Sequence, residues 1–200
     1  MTSQKQACLK NLPRILILRG PPGVGKSTVA QKVISLVPSS KVALVSIDVL
    51  QHMDRRNVSR DKLKLGIYHA VLICRSFARE GFTTVVEYTF DRDLDFFLEK
   101  IFQPHSGPPT PCLVQLFYLD AQFDIVARRN ASRPDPMPVS TLRKIYGETD
   151  SGKGNFSECL IDTSPRTMSS KRIATTILAY DKALVGINEV VNVPALRVGK

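Results

Sequence analysis

Short, unbroken apolar runs alternate with stretches of helical spacing along most of this chain. Ile15-Leu16-Ile17-Leu18 has no polar interruption, the pattern of a strand buried on both faces. Residues 26–37 follow with Val29, Val33, Ile34 and Val37 on one helical stripe. Val42 to Val45 predicts a second buried strand that ends near Asp48. Leu63, Ile67, Ala70, Val71, Cys74, Phe77 and Ala78 then mark a long amphipathic helix, with Gly81 to stop it. Thr83 to Val86 predicts a third strand ending at Glu87, and Leu94, Phe97, Leu98 and Ile101 the next helical face. Residues 104–111 hold four prolines and predict a loop. Leu113 to Leu119 predicts a fourth strand, and Phe123 to Asn130 a helix. Residues 131–155, rich in Pro, Ser, Gly and charge, predict irregular structure with a short helix near Leu142. Cys159 to Asp162 predicts a fifth strand, and Ile173, Ile177, Tyr180 and Leu184 a last helix, with a weaker strand signal at Val190 to Val193. Strands alternating with helices imply right-handed βαβ units and a largely parallel sheet.

The strand–helix alternation runs on without a linker or an internal repeat, so one domain over residues 1–200 is expected. A chain of 200 residues with 43% hydrophobic and 23% charged positions can bury an ordinary core. That excludes a wholly disordered chain, a coiled coil and a collagen-like repeat. Cys8, Cys74, Cys112 and Cys159 are scattered with no C-x-x-C pair, and His52, His69 and His105 show no ligand spacing. Neither a disulfide framework nor a zinc site is expected. No apolar stretch is long enough for a membrane span, and Ile15 to Leu18, between Arg14 and Arg19, is too short for a signal-peptide core. A soluble, cytoplasmic protein without a membrane partner is the expectation.

One motif carries specific chemistry. Gly20-Pro21-Pro22-Gly23-Val24-Gly25-Lys26-Ser27 is a complete G-x-x-x-x-G-K-[ST] phosphate loop, followed by Thr28. Its glycines let several backbone N–H groups converge on a phosphate, and the helix that starts near Gly25 adds its N-terminal dipole. Lys26 would reach the β- and γ-phosphates of a nucleotide, and the Ser27 hydroxyl would ligate Mg2+. A buried strand before the motif and an amphipathic helix after it supply the required context. The N-K-x-D motif of GTPases and the L-S-G-G-Q motif of ABC modules are absent, as is an apolar run ending in Asp-Glu.

The arrangement resembles small-molecule kinases of the P-loop superfamily: the chloramphenicol phosphotransferase, zeta-toxin, gluconate kinase and shikimate kinase group. The resemblance covers roughly residues 14–180. It rests on the phosphate loop, Asp48 after the second strand, the arginines after the fourth, and Asp162-Thr163-Ser164 after the fifth. It implies a three-layer α/β fold with a parallel five-stranded sheet of order 2-3-1-4-5, helices on both faces, and a lid over about 128–155. It also implies ATP and Mg2+ as cofactors and a hydroxyl-bearing acceptor.

The remaining candidates follow from the sheet. Strand carboxyl ends share one edge in a parallel sheet, where ligands bind. Asp48 matches the position that holds the acceptor hydroxyl in the kinases it resembles, where a carboxylate takes the proton; a helix cap or a metal-shell ligand is the other reading. Glu87 stands where a Walker-B carboxylate would, suited to a metal through water, to the acceptor, or to a structural ion pair. Arg128, Arg129 and Arg133 lie where related kinases place lid arginines that clamp the transferring phosphoryl group, and Arg129 and Arg133 are spaced to share a helical face. Thr163 and Ser164 fall in the region of the adenine-binding loop, although a plain turn also uses such residues.

Charge adds a second reading. Residues 1–60 hold ten Lys and Arg against two Asp, out of a net charge of +10 for the whole chain. A basic first third attracts anions, nucleic acid among them, but charge alone specifies no partner. The reading is therefore an ATP-dependent phosphotransferase for a hydroxyl on a small molecule. A polynucleotide 5′-hydroxyl kinase and a non-catalytic ATP-binding switch are the alternatives.

Overall fold

The computed structural model describes residues 12–51, 59–90, 92–103, 111–164, 168–180 and 185–186. Strand β1 (Arg14–Arg19) leads through the phosphate loop into α1 (Lys26–Leu36). Then come β2 (Val42–Ser46), a single turn α2 (Ile47–Leu50), α3 (Arg60–Arg79), β3 (Thr83–Glu87), α4 (Leu94–Phe102) and β4 (Leu113–Asp120). Helices α5 (Phe123–Ala131) and α6 (Val139–Asp150), β5 (Cys159–Asp162), α7 (Ser170–Ala179) and a two-residue β6 (Val185–Gly186) complete the order.

The sheet has the order β2-β3-β1-β4-β5, with every one of these pairings parallel. This is the expected topology. The short β6 adds an antiparallel pairing on β4. Ile15, Leu16, Ile17 and Leu18 are all fully buried, because β1 lies at the centre of the sheet with helices on both sides. On one face Leu16 and Leu18 pack with Val29 and Val33 of α1, Ile173 and Ile177 of α7, Val126 and Leu142. On the other, Ile15 and Ile17 pack with Ile67 and Val71 of α3 and with Leu94, Phe97 and Ile101 of α4. Burying each such side chain contributes about 1.5–3 kcal/mol. The fold is a three-layer α/β one around this parallel sheet, and its register brings Ser46 beside Glu87 and Leu18 beside Glu87 at the carboxyl edge.

Several element expectations need correction. The helix expected near Leu142 is longer than a short one, a regular helix of 12 residues over 139–150. Leu142, Ile145, Tyr146 and Thr149 supply a helical stripe that the surrounding polar residues obscure. Leu142 and Thr149 are fully buried, and Tyr146 donates its hydroxyl to the Ala121 carbonyl at 2.9 Å. Helix α1 stops at Leu36 because Val37 turns extended. Helix α7 stops at Ala179 because Tyr180 turns extended and meets Phe117 edge-on at 5.3 Å between ring centroids. Leu184, the Val190–Val193 strand signal and residues 104–110 of the expected loop lie outside the described residues. Arg129 and Arg133 do not share a helical face, since α5 ends at Ala131.

A buried ion pair lies at the end of β1. Arg19, the last residue of β1, donates to Glu158 at 2.7 Å with both side chains shielded from solvent. Arg19 also donates to the Gly152 carbonyl at 2.6 Å, and its guanidinium lies 4.7 Å from the Tyr118 ring centroid. The pair fastens the turn after α6 to the strand that enters the phosphate loop. Breaking a buried pair strands a charge at a cost of about 3–5 kcal/mol. Glu158→Gln is therefore expected to lower unfolding free energy by about that amount in urea titration; a loss under about 1 kcal/mol would contradict this account.

Candidate active site

Gly20 begins the phosphate loop in a conformation and a space that no other residue fits. Its φ is +137°, and a Cβ there would lie 2.1 Å from the Leu119 carbonyl oxygen. Gly25, with φ 100°, precedes α1 without a capping side chain. The first N–H groups of that helix, which have no partner within it, therefore point out of its end, the arrangement that receives an anion. The loop is thus shaped by glycine freedom at one end and by an uncapped helix at the other.

Lys26 is buried, and its ammonium donates to the carbonyls of Gly20 at 2.8 Å and Pro21 at 3.0 Å. Burial lowers its pKa to about 8, against the opposing pull of Asp48 and Glu87; Arg133 pushes it down further. Glu87 is buried at the end of β3. One of its oxygens accepts from the Ser27 hydroxyl at 2.9 Å and the other from the Ser46 hydroxyl at 2.9 Å. Asp48 lies exposed just beyond the end of β2, in the first turn of α2.

A cleft of about 470 Å³ gathers these groups. It is lined by Pro22, Gly23, Gly25, Lys26, Ser27, Thr28, Asp48, Glu87 and Arg133 from the sequence-based set, with Tyr88, Thr89, Met137 and Ile145 added. The topology thus brings both candidate carboxylates and one lid arginine against the phosphate loop. The other arginines go elsewhere. Arg129 donates to the carbonyls of Thr163 at 2.8 Å and Val24 at 3.4 Å. Arg128 is exposed and reaches back to the Asp124 carbonyl on its own helix at 3.4 Å. Thr163 is buried, and its hydroxyl lies within donating distance of the Val24 carbonyl at 2.9 Å and the Asp120 carbonyl at 2.8 Å, whereas the Ser164 hydroxyl accepts the Gln122 N–H at 2.9 Å. Residues 52–58, beyond Asp48, lie outside the described residues.

Sequence reasoning missed Ser46, Tyr88, Thr89, Met137 and Ile145. Ser46 was legible in principle, as a hydroxyl at a strand end two residues before Asp48. Met137 and Ile145 carry no signal of their own, because only the docking of α6 aims them at the phosphate loop.

The residues suit a magnesium nucleotide. A Ser27 hydroxyl whose proton is committed to Glu87 keeps its lone pairs for a cation. Among the described residues no group of three or more His, Cys, Asp or Glu could cage a metal. Mg2+ generally accepts such a site, taking one or two protein oxygens together with phosphate oxygens and water.

No protein-family model matches the chain. Among solved structures, it is similar to a sugar kinase from Janibacter sp. HTCC2649, with a TM-score of 0.62 and 16% identity over 94% of this chain and 99% of that one. It is also similar to the tunicamycin resistance protein of Deinococcus radiodurans, with a TM-score of 0.61 and 20% identity over 84% and 94% of the two chains. A shikimate kinase from Acinetobacter baumannii, in complex with shikimate, gives a TM-score of 0.53 and 16% identity over 86% and 94%. At these identities the likeness is one of fold.

Proposed function

We propose that this protein is an ATP- and Mg2+-dependent phosphotransferase that moves the γ-phosphate of ATP onto a hydroxyl of a small molecule. The observation that carries the proposal is the convergence of Lys26, the Ser27–Glu87 pair, Asp48 and Arg133 on one cleft. An exposed carboxylate in that cleft supplies the proton acceptor that transfer to a hydroxyl needs.

Lys26 leaves its two loop carbonyls to hold the β- and γ-phosphates. Ser27 and, through it, Glu87 orient the metal-bearing end of the nucleotide; bound Mg2+ supplies charge neutralisation for the phosphates. Asp48 accepts the acceptor's hydroxyl proton as its oxygen bonds to the γ-phosphorus, while the bond to the β-phosphate oxygen breaks and ADP departs. Arg133 offsets the charge of the transferring group from the lid side. Arg133 takes this role over Arg128 and Arg129 because it alone of the three lines the cleft.

A screen of hydroxyl compounds with ATP and Mg2+, reading both ADP and the phosphorylated product, tests this. Transfer to a small molecule is the expected result. Transfer only to a 5′-hydroxyl oligonucleotide would favour the reading suggested by the basic first third. ATP binding with no transfer to any acceptor would leave a non-catalytic switch.

The lid narrows in this account to residues 131–138. Asn130 and Met137 close that segment by a reciprocal pair, with side-chain and backbone donors at 2.8 and 3.1 Å. Helix α6 is docked by Leu142, Tyr146 and Thr149. Hydrogen exchange is expected to slow over 131–138 on adding an ATP analogue with Mg2+, and to stay slow throughout in 140–149. Equal exchange over 131–138 in both states would remove the lid assignment.

A further inference from the structure

We propose that Thr163 and Arg129 are positioning residues that lock the Val24–Gly25 peptide plane, so that the Gly25 N–H is held toward the phosphate. The inference rests on the nucleotide-binding reading of the loop. It concerns residues whose resemblance-based roles were contact with the base and clamping of the phosphoryl group.

The Val24 carbonyl oxygen accepts the Thr163 hydroxyl at 2.9 Å and an Arg129 guanidinium N–H at 3.4 Å. Arg129 also donates to the Thr163 hydroxyl oxygen at 3.3 Å, which leaves that hydroxyl's single proton free to be given away. The Asp120 carbonyl, 2.8 Å from the same hydroxyl, already receives the Thr163 backbone N–H at 2.7 Å. Among the described residues Val24 otherwise receives only the longer Arg129 contact at 3.4 Å, so it gains more from the hydroxyl than the Asp120 carbonyl does. Val24 and Thr163 are both buried, at 1% and 4% exposure, so water does not substitute for the contact.

The consequence follows from peptide planarity. All described peptide bonds are trans, and in a trans peptide the C=O and the following N–H point in opposite directions. A Val24 carbonyl pinned outward, toward β5 and α5, holds the Gly25 N–H inward. Glycine at 25 is needed for its φ of 100°, yet the same freedom allows that peptide to flip at low cost. A flip would turn a carbonyl dipole, instead of a donor, toward the anion. The loop cannot prevent this by itself, and the contacts from Thr163 and Arg129 do. They join the segment after β5 to the phosphate loop, two regions separated by 139 residues.

The test is binding of inorganic pyrophosphate and of ADP, each with Mg2+, by calorimetry. Pyrophosphate has no base, so it reports on the phosphate loop alone. Thr163→Val keeps the side-chain shape without the hydroxyl, and is expected to weaken both ligands by a similar factor, about tenfold, as loss of one buried hydrogen bond implies. Thr163→Ser should restore both. Arg129→Gln, at a half-buried position, should weaken both in the same proportion to each other, and provides the test if Thr163→Val does not fold. Loss of ADP affinity with unchanged pyrophosphate affinity would mean that Thr163 serves the base, and would overturn the proposal. So would a lowered melting temperature with unchanged binding of both ligands. A wild-type protein that binds neither ligand overturns the nucleotide reading itself, and the lock with it.

Discussion

Lys26→Ala is expected to abolish phosphoryl transfer and to weaken ATP binding by about 10²-fold or more in a protein that still folds. The ammonium is the one buried cation in the phosphate loop, and charge-assisted hydrogen bonds to phosphate are worth roughly twice neutral ones. Its contribution grows as charge shifts during transfer, and removing one such donor commonly costs about 10²–10³ in rate. Folding should survive, because Lys26 donates only to the adjacent carbonyls of Gly20 and Pro21. The pH dependence has a definite sign. With a pKa lowered to about 8 by burial, Lys26 loses its proton in the free protein as pH rises through that value. Phosphate binding favours the charged form, so ATP affinity should fall above about pH 8, with proton uptake on binding there. Calorimetry in buffers of different ionisation enthalpy measures both effects. Near-normal turnover in a folded Lys26→Ala protein would show that the motif is not used.

Asp48→Asn separates a kinase from a bare ATPase. The substitution keeps the shape and removes the proton acceptor and its charge. Acceptor-dependent transfer should fall by about 10²–10⁴-fold, the usual worth of a positioned acid–base group. Basal hydrolysis uses water, a small nucleophile held by few contacts, and should fall much less. ATP affinity should change little well below about pH 8, and its decline at higher pH should begin earlier than in the wild type, because the Asp48 charge helps to raise the Lys26 pKa. If Asp48 serves the metal instead, both reactions should decline together and recover with excess Mg2+. Rates of both reactions against Mg2+ concentration decide, and joint loss with rescue would pass the acceptor role to Glu87.

These two residues differ in how they could be found. Lys26 was legible because the phosphate loop is contiguous: strand, glycine turn and helix sit within one stretch of chain, and each local preference agrees with the others. Asp48 was legible only as a polar residue following an apolar run. That it lines the same cleft as Lys26, from the first turn of a one-turn helix, depends on β2 pairing with β3 two places from β1. The arginines were the hardest. Arg128, Arg129 and Arg133 look equivalent in sequence, yet one reaches back along its helix, one braces the phosphate loop from outside, and one lines the cleft. Their fates divide where α5 ends, and its end is set by the Asn130–Met137 pair and by the docking of Leu142, which no spacing rule encodes.

By itself, then, the amino-acid sequence determined the alternation of strands and helices and the phosphate loop, because both arise from periodicity and from backbone freedom within a few residues. It also carried a regular helical stripe over 139–150 that composition concealed; burial of Leu142 and Thr149 reveals it. Tertiary structure decided the rest. Ser46 and Ser27 meet on opposite oxygens of Glu87 only because three separate chain segments end at one sheet edge. The Arg19–Glu158 pair and the Thr163–Val24 contact each join residues 139 apart. Contacts of that kind form between buried groups that must find partners once water is excluded, and which partner lies in reach is a property of the packed sheet and not of any local stretch of chain.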